Sequence, residues 1–204
     1  MRYCFLFIIF FVCNFNLILG NDYIVKSYDN HNLHGTLIES ESLNSTLAVI
    51  IAGSGPTDRD GNNVNIKGNY LMMLAEGLNE NGISTFRYDK RGVGKSLGDI
   101  TSADEIKFTD YINDVISIIN HFRETKKYKR ITVIGHSEGA LIGMIASRSI
   151  ADSFISIAGA GEDYLTLIER QLSIQPEYIK SMSTPILKRL KNKKLVDSVP
   201  PLLN

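Results

Sequence analysis

Five consecutive residues, Gly135-His136-Ser137-Glu138-Gly139, carry the strongest chemical signal in the sequence. They follow the apolar run Ile131 to Ile134 without a gap and lead straight into Leu141, Ile142, Met144 and Ile145. A serine therefore sits where a strand turns sharply into a helix, the context that a G-x-S-x-G nucleophile elbow requires. Such a turn strains the backbone at Ser137, and the flanking glycines leave no Cβ to clash as strand and helix approach. The chemistry that this suits is attack on an acyl carbonyl. The hydroxyl is lifted toward substrate, and unpaired N–H groups at the helix start, chiefly that of Glu138, face a developing oxyanion. The alternative is a serine capping an ordinary glycine-flanked helix.

The other chemistry-bearing residues are less committed. All four histidines, His31, His34, His121 and His136, precede Ser137. His136 is adjacent to the serine, so its side chain leaves the turn in another direction and reads as packed or hydrogen-bonded structure. His31 and His34 flank a turn and His121 lies near a helix end, and no pair has metal-ligand spacing on one helix. Acids after the serine are Asp152, Glu162, Asp163, Glu169, Glu177 and Asp197. The run Asp89-Lys90-Arg91-Gly92-Val93-Gly94-Lys95-Ser96 superficially suggests a phosphate loop, but the required earlier glycine is Asp89, and the segment reads as a structural loop braced by Asp89 and Arg91. Asp58, Arg59 and Asp60 fit a pocket lining or a solvated charged turn equally well.

Stepping outward, strands alternate with helices. Residues 22–28 and 33–38 form a hairpin around Asp29-Asn30-His31-Asn32. Leu47 to Ala52 is a continuous apolar run expected of a strand covered on both faces. A helix over 69–80, a strand over 83–88, a helix over 104–123, a strand over 131–134, a helix over 138–150 and a strand over 153–158 follow. Beyond Gly159-Ala160-Gly161 the chain is mostly helical, with breaks expected at Pro176 and Pro185. This order predicts an α/β fold with a mostly parallel, doubly wound sheet.

Three motifs in order resemble the α/β-hydrolase superfamily, in particular its secreted esterase and serine-aminopeptidase-like branch. They are Ile51-Ala52-Gly53-Ser54-Gly55-Pro56-Thr57-Asp58-Arg59-Asp60-Gly61-Asn62, Arg87 through Ser96, and the elbow. The resemblance implies Ser137 as nucleophile and the backbone N–H groups of Ser54 and Glu138 as oxyanion hole. It also implies hydrolysis of carboxylic esters through an acyl-enzyme, with no cofactor or metal. The alternatives are a serine aminopeptidase, an inactive product, or nucleotide dependence through the 89–96 loop. Members of this superfamily carry an acid and then a histidine on later loops. Neither has a counterpart among residues 161–204, so the chain is expected to be an incomplete hydrolase: residues 21–160 as the first part of the domain and 161–204 as the start of a helical cap.

Composition bounds these readings. The 204 residues carry 22 Lys+Arg against 22 Asp+Glu, with 44% hydrophobic residues, ordinary for one globular domain. A balanced charge argues against a nucleic-acid partner, and the expected partner is a small-molecule ester or short acyl substrate. Residues 1–20 read as a signal peptide, or as a membrane anchor through 3–19, making the protein exported, periplasmic or extracellular. Both cysteines, Cys4 and Cys13, lie in that segment, and Cys13 is a weak lipidation candidate. Asn44-Ser45-Thr46 fits a glycosylation acceptor.

Overall fold

The structure, a computed structural model, describes residues 20–41, 45–196 and 198–200. The leader with its two cysteines, the Asn44 acceptor and Asp197 lie outside the described residues, except for Gly20 and the end of the acceptor triplet.

Six strands form one sheet in the order β1-β2-β4-β3-β5-β6. β1 (Asn21–Lys26) and β2 (Asn32–Ile38) are an antiparallel hairpin, turned by Asn30 in a left-handed conformation. β2 pairs antiparallel with β4 (Ser84–Tyr88), while β4 with β3 (Thr46–Ile51), β3 with β5 (Arg130–His136) and β5 with β6 (Ser153–Ile157) pair in parallel. Between them lie α1 (Tyr70–Glu80), α2 (Phe108–Glu124) and α3 (Glu138–Ala146), and α4 (Tyr164–Ser173) and α5 (Glu177–Lys191) complete the order.

The continuous apolar run of β3 feeds both sides of the sheet. Leu47, Val49 and Ile51 join one cluster with Val115, Ile119 and Phe122 of α2 and Ile142 of α3. Ala48, Ile50 and Ala52 join a second with Leu71 and Ala75 of α1. Alternate residues of a strand point to opposite faces, so helices on both faces demand apolar residues at every position. Each fully buried Ile or Leu contributes about 1.5–3 kcal/mol. From β3 the chain passes to β4 on one side and then crosses to β5 on the other. The loops after β3 and β5 therefore part at the carboxyl ends of the strands, where open α/β sheets bind ligands.

β1 ends at Lys26 instead of residue 28, β5 extends to Arg130–His136, and three helical expectations also change. The helix expected from residue 104 begins at Phe108, because Glu105 turns back to accept from the N–H groups of Thr101 and Ser102 and closes a separate short turn at Ala103–Glu105. The helix expected to reach residue 150 ends at Ala146 in a series of turns. Pro176 precedes α5 as expected, but Pro185 lies inside that helix. Its ring removes one ladder bond, and the hydroxyls of Ser183 and Thr184 return to the carbonyl of Lys180 in the turn before it.

Candidate active site

Ser137 is the last residue before α3 and has φ 53° and ψ −117°. That is a costly backbone for a residue with a side chain, about 1–3 kcal/mol, and its surroundings hold it there. Its N–H donates to the Ile157 carbonyl of β6 at 2.9 Å, and its carbonyl accepts from Ala140 N–H at 3.0 Å. A Cβ on Gly135 would lie 2.2 Å from the Gly139 carbonyl oxygen, and one on Gly139 would lie 2.5 Å from that of Ala52. The glycines are thus demanded by three backbones meeting at one point. A serine serving as a helix cap would turn its hydroxyl onto the first free N–H groups. Ser137 makes no such bond, and its Oγ has no hydrogen-bond partner among the described residues.

Ser54 and Glu138 are brought to the same place. Both line a cavity of about 290 Å³ with Ser137, whose walls also include Gly159–Gly161 and Tyr164, Leu167, Arg170 and Gln171 of α4. A Cβ on Gly53 would sit 3.3 Å from Ser137 Cβ, so the loop after β3 lies directly against the elbow. Arg170 is held by Glu162 at 2.6 Å. Burial raises the Tyr164 phenol above its usual range, with the Glu138 charge adding to the effect.

One residue not singled out in the sequence organises this corner. Lys90, fully buried after β4, donates to the Gly53 carbonyl at 2.6 Å and to Glu138 Oε1 at 2.8 Å, with its Nζ 5.2 Å from the Tyr111 ring centroid. All peptide bonds described are trans, so fixing the Gly53 carbonyl on Lys90 directs the Ser54 N–H to the opposite side. The same ammonium tethers the side chain of Glu138 at the start of α3. A lysine two positions beyond a buried strand was the available signal. The α4 residues over the cavity left only an amphipathic period.

The loops behind the site are pinned by carboxylates. Asp89 accepts from Arg59 N–H at 2.9 Å, from Arg59 Nη2 at 2.8 Å and from Lys95 N–H at 3.0 Å. A Cβ on Gly94 would lie 2.6 Å from Asp89 Oδ2, so the glycine-rich run closes around its own carboxylate, not a phosphate. Asp58, Arg59 and Asp60 neither line the cavity nor form a solvated turn. Arg59 is buried on Asp89, Asp58 accepts from Asp60 and Asn62 N–H groups, and Asp60 pairs with Arg87 at 2.7 Å while its carbonyl caps α1.

Two histidines bond away from the site, and His136 lies behind the loop after β3, its Nδ1 3.1 Å from where a Cβ on Gly53 would sit. His31 Nε2 bonds the Ser96 carbonyl at 2.9 Å, and His121 Nε2 bonds the Tyr23 hydroxyl at 2.9 Å. His136 packs against Tyr70, with its buried Nδ1 unpartnered among the described residues. Among the described residues no group of three or more His, Cys, Asp or Glu is disposed to hold a metal ion, and no helix is long and apolar enough to cross a membrane.

Residues 66–189 match the family described as serine aminopeptidase, S33. Esterase EstD of Thermotoga maritima is 31% identical over 157 residues, covering 72% of this chain and 36% of EstD. The secreted mono- and diacylglycerol lipase MDL2 of Malassezia globosa is 44% identical over 43 residues, 21% of this chain and 14% of the lipase. The chain thus spans well under half the length of these relatives. Among solved structures, the Pyrococcus furiosus esterase Pf2001 superposes with a TM-score of 0.60 at 22% identity, covering 83% of this chain and 64% of that one. With more than half of its length matched by the family and the α/β-hydrolase architecture in place, this chain belongs to the S33 serine aminopeptidase family of α/β-hydrolases.

Proposed function

We propose that the chain carries the acyl-transfer centre of a carboxylic ester hydrolase. The observation that supports this best is Ser137, held at φ 53° with its hydroxyl making no cap bond, in the wall of the cavity shared by Ser54 and Glu138. In this reading Ser137 Oγ attacks the ester carbonyl carbon and gives up its proton, which ends on the departing alcohol. The carbonyl oxygen becomes an oxyanion held by the N–H groups of Ser54 and Glu138. Collapse expels the alcohol, which takes up a proton, and water then attacks the acyl-enzyme to release the acid and restore the hydroxyl. Among the described residues His31 bonds Ser96, His121 bonds Tyr23 and His136 Nδ1 is without a partner, so none of these three is hydrogen-bonded to Ser137. Export through residues 1–20 belongs to the same reading.

An ester fits the charges better than a peptide N-terminus. A free ammonium needs an uncompensated carboxylate beside the nucleophile. Glu138, which lines the cavity, is neutralised by Lys90 at 2.8 Å, and Glu162 is neutralised by Arg170 of the cavity wall at 2.6 Å. Labelling with a fluorophosphonate, followed by a panel of aryl esters and aminoacyl anilides, tests both points. The expected result is modification at Ser137, absent in Ser137→Ala, with turnover confined to the esters. Labelling at another residue, or preference for the anilides, overturns it.

A further inference from the structure

Glu138 borders more than the cavity under α4. Glu138 also lines a small apolar hollow of about 260 Å³ with Phe108, Leu141 and Tyr164. It further lines a cleft of about 410 Å³ whose walls include Pro56, Val93, Leu97, Ile100, Ile106 and Tyr111. The loop after β3 runs between the two larger spaces, since Ser54 borders the first and Gly55 with Pro56 borders the second. Three adjoining hollows thus meet at the residue next to Ser137.

Their chemistry differs. The cavity under α4 combines Arg170, Gln171 and the backbone of Gly159–Gly161 with Leu141 and Leu167, a more polar lining than the cleft's, suited to a group that must leave and to water that must enter. The larger cleft also contains charges, but they are satisfied from within. Lys90 is bound to Gly53 and Glu138, and Arg91 donates to Asp29 and Asp114. Thr101 donates its hydroxyl to Glu105 and Ser102 accepts from Asp104 N–H, so most of what remains for a ligand is aliphatic surface from the segment after β4. Gly92, at φ 79°, permits this wall, because a Cβ there would lie 2.6 Å from Ile106 Cδ1. Leu97, half exposed, forms part of the rim.

We propose that this cleft holds the acyl chain of the ester, with the alcohol portion lodged in the cavity under α4. The assignment rests on Ser137 as the nucleophile, and its binding component is separable from turnover. Each methylene removed from water is worth about fourfold in affinity, so a medium-length chain is favoured over acetate. No group of the cleft needs to change its charge or partner to admit it.

The test uses the full chain with two readouts. Octanoate is titrated into isotopically labelled protein and followed by amide shifts in a two-dimensional NMR spectrum. In parallel, kcat/KM is measured for p-nitrophenyl octanoate and p-nitrophenyl acetate. Shifts are expected at residues 93–106. Leu97→Trp, at an exposed rim position, is expected to weaken octanoate binding and to lower the octanoate-to-acetate ratio, each at least tenfold. Val93→Phe serves the same purpose if the first variant loses its native spectrum. Leu187→Trp, in the separate hollow between α4 and α5, is expected to leave both readouts unchanged. Shifts confined to other residues, no saturable binding, or a ratio unmoved by the rim substitutions overturns the proposal. If no ester is turned over while octanoate still maps to the cleft, the ester-hydrolase reading falls and the acyl-binding cleft stands.

Discussion

At the scale of the residue, the site depends on one buried cation as much as on its serine. Lys90 holds the Gly53 carbonyl and the Glu138 carboxylate together, fixing the peptide that offers Ser54 N–H and the helix start that offers Glu138 N–H. Losing a whole oxyanion donor costs about 10²–10³ in turnover. Lys90→Met, which leaves both donors present but unanchored, is expected to cost about tenfold or more in kcat while KM stays near the wild-type value. Equal loss through KM alone would mean that Lys90 only shapes the cleft. Lys90→Arg keeps the charge but spreads it over a planar fork, and partial rescue of kcat would separate orientation from mere charge balance. Ser137→Ala tests the nucleophile directly and is expected to abolish fluorophosphonate labelling with the fold intact, since its hydroxyl bonds nothing among the described residues.

At the scale of the element, the elbow works because β3, β5 and α3 meet with no side chain between them. Gly135→Ala places a methyl 2.2 Å from the Gly139 carbonyl oxygen, a backbone atom that cannot step aside. Overpacking of this kind costs about 1–3 kcal/mol, and a lowered denaturation midpoint together with loss of labelling is expected. Gly77→Ala, within α1 with nothing within 4 Å of the added methyl, is the matching control and is expected to be neutral or slightly stabilising. These glycines also show why the fold was legible in the sequence. Apolar runs such as Leu47 to Ala52, bounded by glycine, announce a doubly covered strand, and Ser137 between two glycines announces the turn that follows one. Long-range partners carry no such local mark. Nothing in the period of residues 87–96 says that Asp89 will close the loop around Gly94, or that Lys90 will reach Gly53 and Glu138 across 37 and 48 positions. Pro185 misleads because a proline forfeits one ladder bond without ending the helix, and α5 continues past it to Lys191.

At the scale of the molecule, charge ties the hairpin to the rest of the sheet. Asp29, in the β1–β2 turn, accepts from Arg91 Nη1 at 2.6 Å and Nη2 at 3.0 Å. Arg91 also donates to Asp114 of α2 at 2.6 Å through Nη2, and Ser27 Oγ donates to the same carboxylate. The turn, the loop after β4 and α2 therefore share one guanidinium. The hydrogen bonds from Arg91 lower the Asp29 carboxyl to about 2, against a partial opposing effect of burial. A carboxylate whose pKa is lower in the folded state stabilises that state fully above its unfolded pKa of about 4. The contribution is lost as pH falls through the folded value, so the window lies between about pH 4 and pH 2. Asp29→Asn lacks the titrating group. Wild type is expected to be the more stable of the two in urea at pH 6, and the gap is expected to shrink progressively below pH 4 and to be smallest near pH 2. Asp29 is partly exposed, so salt is expected to narrow the gap at pH 6 as well. A gap that stays constant from pH 6 to pH 2 would show that the hairpin is held by packing and backbone pairing alone.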